Sequence, residues 1–364
     1  MSERRHSPLH PAHEEHGAKF TDFSGWDMPV EYGGSGVLAE HAAVRDHIGI
    51  FDVSHLGAAR ITGPGAVGFV NSILTNDLHK IGPGKAQYTM LCTPTGGVVD
   101  DMIIYWFSDE ELFVIPNAAN CTEVCQILTE AAPDQVQVTN EHGEHAIIAV
   151  QGPGSEDLLR GLGLPTDHEY MSFESADFEG TAITVCRTGY TGEKGYELVT
   201  PAAAGLGIWR ALLAADERVQ PAGLGARDTL RTEMGYSLHG NDIGPDISPV
   251  QARLGFAIGW KKPSFRGHEA LRAEKEAGPQ RVAKGLKATG RGIPRPHMAV
   301  LDEAGEPLGE VTSGTFSPTL KQGIALALLD PGVELGTIVQ VQIRKRVEPF
   351  EVVRPPFVNP GVKS

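Results

Sequence analysis

Val98-Val99-Asp100-Asp101-Met102-Ile103-Ile104-Tyr105-Trp106-Phe107 reads as one long β-strand. It is rich in β-branched and aromatic residues and is bounded by Gly96-Gly97 on one side and Ser108-Asp109-Glu110 on the other. Ala86–Cys92 before it and Leu112–Ile115 after it are also strand-like, so the three segments predict an antiparallel meander. In a regular strand Val99, Asp101, Ile103 and Tyr105 share one face, with Asp100 on the other. Aspartate suits strands poorly, and a carboxylate inside an apolar run must be hydrogen-bonded, paired or close to water. The pair is therefore either a functional carboxylate site or a structural cap or ion pair.

Flanking this meander, Ala58–Leu78 and Ala146–Leu162 resemble each other: a strand, then Gly-Pro-Gly (63–65 and 152–154), then an amphipathic helix. In both, proline is expected in the first helical turn. A full dinucleotide fingerprint and a Walker-type loop are absent from the sequence. Strands are expected at Thr181–Arg187 and Tyr196–Thr200, and helices at Leu206–Ala215 and Ala226–Leu238, where Leu230, Met234 and Leu238 recur every four residues. The charged Glu274–Arg281 stretch, with Gly278-Pro279, predicts a boundary. Beyond it, short strands at Leu308–Thr312, Gly323–Leu329 and Thr337–Ile343 predict a small all-β barrel or sandwich. The fold class is α+β.

The 364-residue chain carries a formal net charge of −15, with 41% hydrophobic and 21% charged residues. That length predicts two or three domains, and that charge disfavours nucleic-acid binding while permitting a local basic pocket. Cys92, Cys121, Cys125 and Cys186 form no zinc-type pairs and read as buried free thiols in a reducing compartment. Residues 1–19 are polar, with His10, His13 and His16 at spacings of three. They read as a solvated, flexible segment, neither a signal peptide nor a metal site. Bacterial cytoplasm is the expected location.

Two further stretches stand out. Arg187-Thr188-Gly189-Tyr190-Thr191-Gly192-Glu193-Lys194-Gly195-Tyr196-Glu197 is either a plain glycine-rich hairpin or a loop whose glycines let a ligand approach the backbone and whose aromatics stack on a flat heterocycle. Gly225-Ala226-Arg227-Asp228-Thr229-Leu230-Arg231 puts Arg227 near a helix start, where the macrodipole disfavours a cation, so it serves either a ligand or a nearby carboxylate.

Taken together, these stretches resemble the T-protein (aminomethyltransferase) family of the glycine cleavage system. The resemblance runs from about Phe23 to Phe357 and includes Phe51-Asp52-Val53-Ser54-His55, Gly240-Asn241-Asp242-Ile243, Gly292-Ile293-Pro294-Arg295 and Thr312-Ser313-Gly314. It implies a three-domain cloverleaf of mixed antiparallel sheets and helices with a C-terminal β-barrel. The implied division is residues 1–19 as a tail, 20–280 as a folate-binding region of two subdomains, and 281–364 as the barrel. It also implies transfer of a methylene from an aminomethyl-lipoyl H-protein to tetrahydrofolate, with ammonia release and no metal. The glycine decarboxylase and dihydrolipoamide dehydrogenase components would be functional associates.

By the same resemblance, Asp101 is the catalytic acid and Glu197 and Arg227 bind folate. Further folate contacts map to Tyr88, Tyr105, Asn117, Tyr190, Trp260 and Arg295, with Leu56 replacing a frequent family methionine. The tail Pro356-Phe357-Val358-Asn359-Pro360 lacks tyrosines common in the family. Two related readings remain: the folate domain of flavin-linked dimethylglycine or sarcosine dehydrogenases, and a non-enzymatic folate-binding protein of the iron–sulfur repair type. The first lacks its dinucleotide fingerprint here, and the second lacks its Lys-Gly-Cys-Tyr-x-Gly-Gln-Glu motif.

Overall fold

A computed structural model describes residues 4–362. The central strand spans Val98–Ser108 and pairs antiparallel with Lys85–Cys92 and Glu111–Ile115. Ala59–Thr62 and Gln137–Asn140 extend this sheet to five strands. The expected regular alternation fails at one point. Asp100 pairs with Leu91 and Val98 with Cys92, which leaves Val99 as a bulge. Val99 consequently packs with Met102, Ile104 and Trp106, whereas Ile103 and Tyr105 face a different core.

A second sheet has six strands in the order Phe173–Phe178, Thr181–Cys186, Gly195–Pro201, His145–Gln151, Ile48–Asp52 and Val219–Pro221. The two related units sit one in each sheet. Their helices are Ala66–Ile73 and Ser155–Gly161. The expected role of proline is corrected: Pro64 and Pro153 precede the N-caps Gly65 and Gly154 instead of entering the helix. Each is the second residue of a tight turn closed by Ala66 N–H to Gly63 O (3.1 Å) or Ser155 N–H to Gly152 O (3.0 Å), where its fixed φ is favourable.

Six strands between Val282 and Val353 close the C-terminal barrel. Its core includes Leu286, Val311, Leu329, Val339 and Phe350. Three barrel strands, Val282–Ala288, Ala299–Leu301 and Arg346–Val353, went unread in the sequence. Two helix expectations also change. The helix carrying Arg227 spans Leu224–Met234 and stops at Gly235 (φ 70°), so Leu238 lies beyond it. The first half of the charged Glu274–Arg281 stretch belongs to the helix His268–Ala277, which ends at Gly278.

Residues 4–19, expected to be solvated, are packed. Arg5–His6 and Ala18–Phe23 flank Trp26–Tyr32 in a three-stranded sheet, and His10–Glu15 is helical. Leu9 and Ala12 are fully buried against Trp209 and the six-stranded sheet. His13 is buried and donates to Asp52 Oδ2 at 2.8 Å, and Ser7 also donates to that oxygen. A short apolar pair and the buried contacts of Ser7 and His13 to Asp52 hold the segment down despite its polar composition. All four cysteines are buried free thiols. Among the described residues, no helix is long and apolar enough to cross a membrane.

The cores place the site. One cluster fills the space between the two sheets and includes Phe51, Tyr105, Phe113, Ile147, Val199 and Leu230. Another joins the first sheet to the 243–271 region through Met90, Val98, Ile243 and Ile258, with Tyr88 and Trp260 packed against it. The aspartate pair lies where these clusters meet.

Candidate active site

Asp101 is half-buried and both its carboxylate oxygens are engaged. Tyr88 O–H donates to Oδ2 at 2.9 Å and Asn117 Nδ2–H to Oδ1 at 3.0 Å. Asp100 is fully buried and accepts three N–H bonds: from Asn117 N and Asn117 Nδ2 (2.8 Å each) and from Asn120 Nδ2 (2.7 Å). Burial raises the pKa of both carboxyls, and for Asp100 the neighbouring Asp101 charge adds to the burial effect. Asn117 and Asn120 reach the pair because Glu111–Ile115 ends beside it and the chain turns into the helix Cys121–Ala131.

Across from this pair, the 188–197 loop wraps around the Gln151 amide. Gln151 Nε2 donates to Thr188 O and Tyr196 O (3.2 Å each), and Thr191 O–H donates to Gln151 Oε1 at 2.7 Å. The loop's glycines serve this packing. A Cβ on Gly189 or Gly195 would meet the Gln151 amide, and one on Gly192 would meet Met234. Glu197 is buried and accepts a hydrogen bond from Thr188, whose hydroxyl also contacts Tyr105 O–H at 3.2 Å. The Arg227 guanidinium lies over the Tyr190 ring at 4.7 Å, and its Nη1 is buried without a protein partner. Burial holds the Arg227 pKa below its usual value, opposed by the Glu197 charge. Tyr190 O–H donates to Ser237 O, fixing the ring between Arg227 and the Asp101 side.

Arg227 is set in place by its helix. Glu233, fully buried, accepts from Arg45, Ser317 and Thr319, which ties the helix to the neighbouring Gly36–Asp46 helix and to the barrel. Arg231 bonds Asp228, Asp242 and Ser313. The local carboxylates therefore pair with Arg45 and Arg231, and Arg227 is left facing the site. An open cavity of about 290 Å³ adjoins it, lined partly by Ser237, Phe256, Arg253, Lys284 and Arg354. Phe256 also stacks on Tyr88 at 6.1 Å.

Residues 9–262 match the family model described as the GCVT N-terminal domain, and residues 281–359 match the glycine cleavage T-protein C-terminal barrel domain. The chain belongs to the glycine cleavage T-protein family. It is 58% identical over 361 residues to the aminomethyltransferase of Parafrankia sp. (strain EAN1pec), covering 99% of both chains. It is 55% identical to that of Mycobacterium tuberculosis (strain ATCC 25618 / H37Rv), covering 97% of this chain and 96% of the relative. The crystal structure of glycine cleavage system aminomethyltransferase T from Bartonella henselae superposes with a TM-score of 0.93 at 33% identity, covering 98% of each chain.

Within this T-protein fold, Asp101, Tyr88 and Asn117 are in direct contact, as are Tyr190 and Arg227. Glu197 joins Tyr105 through Thr188. Leu56 packs on the Tyr105 core, and Trp260 on the Tyr88 side, with its N–H donated to Gly255 O at 3.1 Å. Arg295 is exposed and donates to Gly314 O at 3.2 Å, with no contact to the other site residues. Asn120, Phe256 and His239 were missed, and Thr188 was read only as part of the glycine-rich loop. Asn120 has a weak sequence signal, being one helical turn after Asn117; His239, which contacts Asn120 at 3.0 Å, has none. Among the described residues, His6, His10 and Asp27 gather away from this site. Asp27 also pairs with Arg4 at 2.9 Å, and the His6 and His10 ring centroids are 3.9 Å apart.

Proposed function

We infer that the protein is the aminomethyltransferase of a glycine cleavage system, transferring the methylene of an aminomethyl-lipoyl H-protein to tetrahydrofolate and releasing ammonia. The observation that carries this reading is the opposition of a proton-accepting carboxylate, Asp101, to a polar and aromatic cradle formed by Tyr190, Arg227 and Glu197. The buried, unpartnered Nη1 of Arg227 fits a cradle built for a polar ligand. When bound, tetrahydrofolate supplies the two nitrogens that take up the carbon.

The chain's own residues divide the work. Glu197 accepts hydrogen bonds from the donor edge of the pterin, and Arg227 donates to its carbonyl side. Tyr190 and Trp260 contribute flat apolar faces. Asp101 accepts a proton at its carboxylate and stabilises positive charge developing at the transferred carbon. Burial raises its pKa, the direction that favours uptake of a proton. The adjoining cavity, with Arg253, Lys284 and Arg354, suits the acidic tail of the folate. Bacterial cytoplasm is the proposed location, and the glycine decarboxylase and dihydrolipoamide dehydrogenase components are the proposed functional associates.

The test is ammonia release from aminomethylated H-protein with and without tetrahydrofolate. Strong dependence on folate is expected. Folate binding with no release of ammonia would favour the non-enzymatic folate-binding reading instead.

A further inference from the structure

A regular strand would put Asp100 and Asp101 on opposite faces. The structure instead joins them through one side chain. Asn117 Nδ2 lies 2.8 Å from Asp100 Oδ1 and 3.0 Å from Asp101 Oδ1, so a single amide group donates to both carboxylates. The bulge at Val99 sits immediately before the pair, and Asn117 comes from the chain just beyond the neighbouring strand.

We propose that Asp100 is a positioning residue that holds Asn117 against Asp101 and, as the second carboxylate of a bridged pair, assigns the pair's proton to Asp101. This rests on the folate-dependent reading above. The assignment follows from the partners. Every hydrogen-bonding contact of Asp100 is an N–H donor, from Asn117 N, Asn117 Nδ2 and Asn120 Nδ2. A proton on Asp100 would meet a donor on each side. Asp101 differs, because Tyr88 O–H faces its Oδ2 and a hydroxyl can turn to accept. A proton can therefore reside on Asp101 without breaking the arrangement.

The other groups facing the pair agree. Tyr88 and Tyr190 are held neutral, their pKa values raised by burial. His239 Nδ1 faces Asn120 Nδ2 at 3.0 Å and its Nε2 faces Val98 O at 3.1 Å. Asn120 Nδ2 donates one N–H to Asp100 and has a second for His239 Nδ1, while His239 Nε2–H fits Val98 O. No Lys or Arg makes an ion pair with either aspartate among the described residues. Two carboxylates bridged by one amide, with no Lys or Arg paired to either, disfavour double ionisation, which favours uptake of a proton at Asp101.

The experiment is the pH profile of turnover for the wild-type enzyme and Asp100→Asn. Neutralising Asp100 removes the like charge beside Asp101. The acid limb of kcat should move to lower pH by about one unit or more, with kcat reduced and folate KM little changed. An unmoved limb would overturn the proposal, whether or not kcat falls. A second measurement on the wild-type protein, ¹³C titration of aspartate carboxyls, needs no variant. Two linked steps, one well above the ordinary value of about 3.9, are expected. Two independent ordinary titrations would overturn the pairing. Absence of folate-dependent ammonia release by the wild type at every pH would instead defeat the functional reading, while the carboxyl titration would still report on the pair.

Discussion

Asp52 and Asp101 are both carboxylates at the margins of buried sheets, and their surroundings are opposite. Asp52 is saturated: Ser7, His13 and the Ser54 N–H all donate to it. Burial alone would raise its pKa, but the His13 hydrogen bond and charge, with the two serines, outweigh burial and leave it lowered. Asp101 has a tyrosine, an amide and a second carboxylate around it, and its pKa is raised by burial. One site is built to hold its charge permanently, the other to change it. A lowered pKa adds native stability at neutral pH, and a raised one subtracts from it. Motif membership does not separate the two, because both lie in stretches that carry the family resemblance.

The contrast can be broken in several ways. The largest expected effect is on turnover. Asp101→Asn should lose about 10²–10⁴-fold in kcat, the usual contribution of a positioned general acid or base, as read by single-turnover ammonia release. On the structural side, His13→Ala leaves Asp52 buried without its imidazole. Breaking such a pair typically costs about 3–5 kcal/mol. Denaturant unfolding should show that loss, while folate affinity of the folded fraction stays unchanged.

Between these extremes lies the binding cradle. Glu197→Gln should weaken reduced-folate binding by about one to two decades, since lost hydrogen bonds to a charged group cost about 1.5–3 kcal/mol. Calorimetric titration reads this directly, and unchanged affinity with lost turnover would move Glu197 out of the cradle. The smallest effect is the acid dependence of stability. Asp52 has a lowered folded pKa, and so does Glu233: burial opposes the shift, but His41, Ser317 and Arg45 outweigh it and hold Glu233 at about 2. Their contributions are present above the ordinary carboxylate range and are lost as pH falls through the folded values. The stability of the wild type should therefore decline progressively below about pH 4, whereas His13→Ala should show a shallower decline.

The meander, the paired strand–turn–helix units and the barrel were legible because each depends on local pattern and turn chemistry. The N-terminal segment was not. Its polar composition hid Leu9, Ala12 and a buried His13 whose partner lies 39 residues away. The bulge at Val99 was equally hidden, because periodicity alone cannot show which residue a strand skips. Asp101 stood out as a carboxylate in an apolar run. That Asn117 would bridge it to Asp100, that Asn120 would donate to Asp100, and that Arg45 and Arg231 would occupy the local carboxylates and leave Arg227 facing the site, depends on long-range packing that spacing does not encode.

Asp101 is kept for chemistry at the expense of stability, and one variant reports both quantities. Unfolding free energy and single-turnover ammonia release should be measured for Asp101→Asn at neutral pH beside the wild type. Because the folded pKa of Asp101 is raised, its ionised form opposes folding at pH values above the ordinary carboxylate range. The neutral isostere should therefore be as stable as the wild type or more so, while losing nearly all folate-dependent turnover. A variant that keeps near wild-type turnover, or one that loses activity only in proportion to a loss of folded protein, would contradict the account.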